Sequence, residues 1–175
     1  MIIKLIIFII ASIGITFISR DSFSNIRSYG FFRFFAFELN LALILLNIDF
    51  WFTNPFSTLQ IFSWLCLFLS IFLVVHGFRL LKTTGSSEGK FEHTTILVRK
   101  GVFKYIRHPM YASLLYLGLG VYFKNISLIT SILVLFVIVS LAVTAKFEEI
   151  ENSHKFAGDY VQYIKNTKMF IPYLF

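Results

Sequence analysis

Ile126-Ser-Leu-Ile-Thr-Ser-Ile-Leu-Val-Leu-Phe-Val-Ile-Val-Ser-Leu-Ala-Val-Thr-Ala-Lys-Phe147 carries no charge before Lys146. At ~1.5 Å per residue, a helix of this run crosses the ~30 Å hydrocarbon core of a bilayer. Residues 2–18, 31–48, 58–81 and 109–123 have the same character. Runs such as 41–46 and 132–139 lack the polar–apolar alternation of a β-barrel, so the elements are helices. Composition agrees: 57% of residues are hydrophobic and 14% charged, with 23 Phe. A soluble domain has roughly 45–50% apolar and about 25% charged residues. This excludes a soluble enzyme, a disordered tail and a disulfide-stapled secreted domain. Cys66 is the single cysteine and the four His show no ligand spacing, so neither a disulfide nor a metal site is expected. The fold class is an all-α integral membrane protein with five transmembrane helices. Residues 1–82 form a three-helix membrane part. Residues 83–175 hold two more helices and the polar flanks.

The basic residues set the orientation. Arg20, Arg27 and Arg33 follow the first run, and 49–57 has no base. Arg79, Lys82, Lys90, Arg99, Lys100, Lys104 and Arg107 follow the third run. Lys124 stands alone before the fifth, and Lys146, Lys155, Lys165 and Lys168 lie at or beyond its end. Five alternating spans put fourteen of the sixteen bases on one side, leaving Lys4 and Lys124 opposite. By the positive-inside rule that side is the cytoplasm, with the N-terminus outside and the C-terminus inside. The net charge of +7 is then a topology signal with affinity for anionic membrane lipids, and nucleic acid loses its warrant as a partner. The first run ends at Ser19-Arg20-Asp21 without a small-x-small cleavage pattern, which favours a retained helix over a signal peptide.

Polar residues concentrate in 79–108 and 146–175, and Tyr105-Ile-Arg107-His108-Pro109-Met-Tyr111 is the sharpest feature there. Proline suits the first helical position and keeps the residue before it out of the α region, so a helix is expected to start at Pro109 with His108 as N-cap. Free N–H groups and the positive dipole end form an anion site there, beside Arg107 and His108. The run is short: fifteen residues cover only ~22 Å, which puts its start in a recess below the interface. Gly118-Leu-Gly120 allows close helix packing or close approach of a ligand. At the end of the fifth run, Glu151 has Lys155 at i+4, whereas Glu148 and Glu149 lack an i+4 base. Carboxylates at a membrane boundary without a local partner are functional candidates. The helix is expected to run to Phe156, with Gly158 as its cap. Within the spans, Glu38 is expected to pair with Arg33 or Arg79, and Arg79 to snorkel to the head groups.

From His93 to the C-terminus the chain resembles the membrane methyltransferases that include isoprenylcysteine carboxyl methyltransferases and phospholipid N-methyltransferases. The resemblance rests on His93-Thr-Thr-Ile-Leu97, Gly101-Val-Phe103-Lys-Tyr105, Arg107-His108-Pro109-Met-Tyr111, Gly118-Leu-Gly120, Glu148-Glu149, Phe156-Ala-Gly158-Asp-Tyr160-Val-Gln-Tyr163 and Ile171-Pro172. Phe103 stands where the family usually has Tyr, and Ser113 where a Gly often follows. The resemblance implies an S-adenosylmethionine-dependent methyltransferase with its active site facing the cytoplasm. It implies cofactor binding by His93, Leu97, Phe103, Tyr105, His108, Pro109, Tyr111, Gly118, Gly120, Glu148 and Glu149, with His93 and Leu97 on the adenine side. Arg107 and Glu148 are the implied catalytic pair. Arg79, Tyr160 and Tyr163 are implied to bind a lipidic or prenylated acceptor.

Two acceptor chemistries stay open. A prenylcysteine carboxylate is already anionic and needs only a cation such as Arg79, Arg107 or Lys100 to orient it. A phosphatidylethanolamine amine must first lose a proton to a Glu or His. The overall pattern leans to the carboxyl-methyltransferase branch. The reading from another class is a non-catalytic membrane lipid-binding module on the same scaffold, which has no need of Arg107, His108, Tyr111 and Glu148 together.

Overall fold

The computed structural model describes residues 2–20, 23, 29–85 and 96–174. His93, Arg27 and Lys90 lie outside the described residues, as does most of the polar 83–90 loop. Five α-helices carry the fold: α1 (Ile2–Ser19), α2 (Tyr29–Asn47), α3 (Thr58–Thr84), α4 (Pro109–Tyr122) and α5 (Leu128–Asn166). No strand occurs among the described residues; the one bridge pairs Ile106 with Lys168. Local sequence sets the helix starts. Ser57 accepts from the Gln60 N–H to cap α3, and Ser127 with Thr130 forms a capping box on α5. Helices α1, α2, α3 and α5 are each long and apolar enough to cross a membrane. Their outer faces are greasy: Ile18 is 83% exposed, Phe68 67% and Leu128 78%. Water would penalise such surface, and lipid tails would not.

Helix α4 is the exception. Its 14 residues span only about 21 Å. It survives as a buried post, with α3 on one side and α2 and α5 on the other, while α1 leans on α2. Helices α2 and α3 each pack against α4. Its small residues permit this. A Cβ on Gly120 would meet Leu67 Cγ at 2.8 Å and the Ser63 carbonyl at 3.1 Å, and one on Gly118 would meet Asn40 Oδ1 at 3.0 Å. The Gly118–Gly120 pair thus serves helix packing, at a distance from the cavity described below. Ser63 Oγ donates to the Gly120 carbonyl at 2.6 Å, while at the other end Met110 Sδ and Pro109 approach Gly77. Beyond Gly77, α3 continues for two further turns, or about 10 Å. The start of α4 is therefore recessed, as its short run predicts.

At the opposite end of α4, Lys124 is 5% exposed. Its Nζ donates to Gln60 Oε1 at 3.0 Å and to the Trp51 carbonyl at 3.3 Å, and lies 3.6 Å from the Trp64 ring centre. The residue counted as an outer-side base is an internal cation in an aromatic pocket. Lys4 pairs with Asp49 at 2.5 Å near the same end, so Asp49 has a partner besides solvent. Inside the bundle, Glu38 Oε2 accepts from Ser12 Oγ at 2.6 Å, which ties α1 to α2.

Two sequence expectations for α5 need correction. The helix breaks at Ala157 (φ 46°, ψ −128°), and Gly158 is not the left-handed residue. Beyond the break a second helical piece runs to Asn166. Glu149 also has a local base, because Lys146 Nζ reaches its Oε2 at 3.1 Å from i−3 rather than i+4.

Candidate active site

Where α4 starts short, a cavity of about 240 Å³ opens. Pro109, Met110 and Tyr111 of α4 form its roof. One wall comes from α5 with Glu148, Asn152 and Phe156, and the floor from Tyr160 and Tyr163 beyond the break. Leu97, Val98 and Phe103 close another side, and Arg33 and Leu81 reach in from α2 and α3.

His108 is the N-cap of α4, as Pro109 dictates, but its side chain makes no capping hydrogen bond. The first helical bond is Ala112 N–H to the His108 carbonyl at 2.8 Å, so the first-turn amides of Met110 and Tyr111 precede it. The His108 ring is 4% exposed and stacks on Tyr111 at 5.5 Å. Its Nδ1 lies 3.6 Å from Glu148 Oε2 and its Nε2 3.5 Å from Glu149 Oε1. Buried Nε2 makes no hydrogen bond among the described residues. Burial alone lowers the His108 pKa, but the two carboxylates outweigh it and the net shift is upward. Burial raises the Glu148 pKa, and His108, the Tyr111 hydroxyl and Arg33 more than reverse this. Glu149 follows the same balance against His108 and Arg107, and falls to about 2. The cluster is thus an imidazole between two carboxylates, each favouring the charged form of the other. Glu148 keeps 31% of its side chain exposed, whereas Glu149 keeps 8%.

Arg107 faces the cavity edge but is held on several sides. Its Nε donates to Glu149 Oε1 at 2.8 Å, and its Nη1 donates to the carbonyls of Ile164 and Thr167. Those carbonyls end α5, where a cation meets the negative end of the dipole. The segment after α5 also docks through its backbone. Lys168 N–H donates to the Tyr105 carbonyl at 3.1 Å, Arg107 N–H to Lys168 at 2.7 Å and His108 N–H to Met169 at 3.2 Å. Tyr163 adds a hydroxyl bond to the Phe103 carbonyl at 2.6 Å. The end of the chain therefore orients the Arg-His-Pro segment.

Of the residues singled out in the sequence, the structure gathers Leu97, Phe103, Arg107, His108, Pro109, Tyr111, Glu148, Tyr160 and Tyr163 around one cavity, with Glu149 just behind His108. It does not bring in Tyr105, whose ring is 45% exposed beside Tyr173, nor Gly118 and Gly120. Arg79 is exposed and not among the cavity-lining residues. Ser113, where the family pattern often has Gly, points its hydroxyl back to the Met110 carbonyl at 2.6 Å. Sequence reasoning missed Arg33 and Asn152, because neither lies in a motif. No cluster of metal-ligating side chains is present among the described residues.

No curated protein and no solved structure matches the chain. Residues 58–157 match the family model described as phospholipid methyltransferase. That match runs from the start of α3 to the break in α5, covers more than half of the chain, and contains Arg107, His108, Glu148 and Glu149. With the membrane-length helices and the recessed polar cavity already described, it establishes that this chain belongs to the phospholipid methyltransferase family of membrane methyltransferases.

Proposed function

We propose that the protein transfers a methyl group from S-adenosylmethionine to a lipid-borne acceptor, at a site facing the cytoplasm. The observation that carries this reading is one cavity shared by an uncapped helix N-terminus, an accessible carboxylate and several aromatic faces, in a chain of a methyltransferase family. The donor set fits the cofactor. The amides of Met110 and Tyr111, beside the His108 ring, suit the methionyl carboxylate. Glu148 suits an ammonium or ribose hydroxyls. Phe103, Tyr111 and Phe156 offer ring faces to a sulfonium. Leu97 stands on the adenine side by the resemblance; His93, assigned with it, lies outside the described residues.

When bound, S-adenosylmethionine supplies a methyl group on a cationic sulfur that an acceptor displaces in line. The protein's part is alignment and exclusion of water. The recess under α4 keeps bulk water away, and Tyr160 and Tyr163 close its floor. We assign Arg107 to positioning: it fixes Glu149 and the end of α5, and through Glu149 it holds His108. For an amine acceptor, Glu148 is the carboxylate placed to take the proton, being on the cavity lining and partly exposed. A carboxylate acceptor needs no base.

Equilibrium binding of S-adenosylhomocysteine to detergent-solubilised protein tests this directly. Binding by the wild type, weakened roughly ten- to a hundredfold in both His108→Ala and Glu148→Ala, is expected for loss of one charged hydrogen bond. No binding by the folded wild type would point instead to a non-catalytic lipid-binding module.

A further inference from the structure

Tyr105 lies outside the cavity, and its ring is 6.2 Å from that of Tyr173. Tyr173 is 83% exposed and Leu174, next to it, 77%. Large side chains are thus presented outward at one place, and the reaction proposed above uses none of them.

The backbone fixes how deep this patch sits. Helix α3 has 27 residues, about 40 Å, against a hydrocarbon thickness of ~30 Å. Its first turns carry no charge, whereas Arg79 and Lys82 stand near its end. The excess length therefore belongs to that end, and the last two turns lie in the head-group layer. Pro109 and Met110 pack on Gly77, just below those turns. Tyr105 is three residues from His108, a reach of at most ~11 Å. It therefore lies no farther from the bilayer centre than about the end of α3. Tyr173 is held at the same level, because Lys168 N–H donates to the Tyr105 carbonyl and His108 N–H to the Met169 carbonyl. Met169 and Phe170 are buried, so the outward turn begins from a packed base. Leu174 N–H closes that turn on the Ile171 carbonyl at 3.2 Å.

The charges around the patch have one sign. Residues 96–108 and 160–174 contain no Asp or Glu, while Lys104, Lys165 and Lys168 are exposed in them. Lys104 Nζ lies 5.9 Å from the centre of the Tyr105 ring. Tyrosine rings favour the boundary between lipid tails and water, and lysines beside them favour anionic phosphates. We propose that Tyr105, Tyr173 and Leu174 insert into the head-group layer on the side where α4 starts, with Lys104, Lys165 and Lys168 on the phosphates of anionic lipids. This surface is separate from the cavity, and the proposal does not depend on the methyltransferase reading.

The test places a nitroxide on the full-length protein in lipid vesicles. Tyr173→Cys and Leu174→Cys are made separately in a Cys66→Ser background, each leaving the other residue in place, and are checked for a monodisperse folded state. Power saturation with oxygen and with a neutral nickel chelate reads the depth of the label, calibrated with nitroxide-bearing lipids. The vesicles are phosphatidylcholine, with and without phosphatidylglycerol. The expected result is a label at head-group depth, severalfold less accessible to nickel than a nitroxide in water, and shielded further by phosphatidylglycerol. Replacing Lys104, Lys165 and Lys168 together by Gln should remove that response to phosphatidylglycerol. Nickel access equal to that in water at both positions would overturn the proposal. So would low access to both reagents, which would mean that protein covers the patch. A depth indifferent to phosphatidylglycerol before the lysines are replaced would overturn the assignment of anionic lipid.

Discussion

Arg107 and Glu149, 42 positions apart in sequence, meet at 2.8 Å with 8% of each side chain exposed. The pair joins the entrance of α4 to the end of the apolar part of α5. Behind it, the same guanidinium carries the last carbonyls of α5, and the same carboxylate lies 3.5 Å from His108 Nε2. Orientation of the imidazole in the cavity thus depends on an ion pair that no ligand has to touch.

Removing one partner should strand a buried charge. Arg107→Ala and Glu149→Ala are each expected to destabilise the protein by about 3–5 kcal/mol, with the double variant costing clearly less than the sum. Denaturant or thermal unfolding in detergent measures this cycle. Additive losses would show that the two side chains act independently.

The same cluster sets a pH window. The His108 pKa is raised above 6.5, so its contribution to stability is full below that value and is lost as pH rises through the shifted one. The Glu149 pKa falls from 4.5 to about 2, so its contribution is present above 4.5 and is lost as pH drops toward 2. Stability from this cluster is expected to peak at mildly acidic pH. A melting-temperature profile checks this: His108→Gln should flatten the alkaline limb and Glu149→Gln the acidic one.

Ala157 carries a φ of 46° at the break in α5, a conformation that suits glycine. Such strain costs about 1–3 kcal/mol. Ala157→Gly should therefore raise the melting temperature, or leave it unchanged where added freedom in the unfolded chain offsets the relief, and Ala157→Val should lower it. Unfolding curves of the two variants, compared with the wild type, decide the sign.

Entry of the acceptor from the bilayer predicts a dependence on chain length. Each methylene that stays in lipid avoids ~0.8 kcal/mol of transfer into water. Shortening the acceptor's hydrocarbon chain should weaken turnover steeply, and a soluble head-group analogue should be a poor substrate. Equal kcat/KM for short and long acceptors would rule out lateral entry while leaving methyl transfer intact.

The apolar runs determined α1, α2, α3 and the first part of α5, because hydrocarbon thickness and backbone hydrogen bonding act on each segment alone. Pro109 determined where α4 starts, by the equally local rule that proline fits the first turn and bars helix before it. The recess was legible too, since it follows from a run too short to span. What the tertiary structure decided are the relations between distant segments. Gly118 and Gly120 face Asn40 and Leu67 rather than the cavity, which depends on how α4 sits between its neighbours. Glu149 finds Arg107 and Lys146, while a search for bases at i+4 finds neither. Ala157, and not the glycine beside it, takes the left-handed turn, because docking of Tyr163 onto Phe103 and of Lys168 onto Tyr105 and Arg107 outweighs the local preference. Arg33 reads in sequence as one more positive-inside charge. Only the packing of α2 against α5 and α4 gives it a place on the cavity wall.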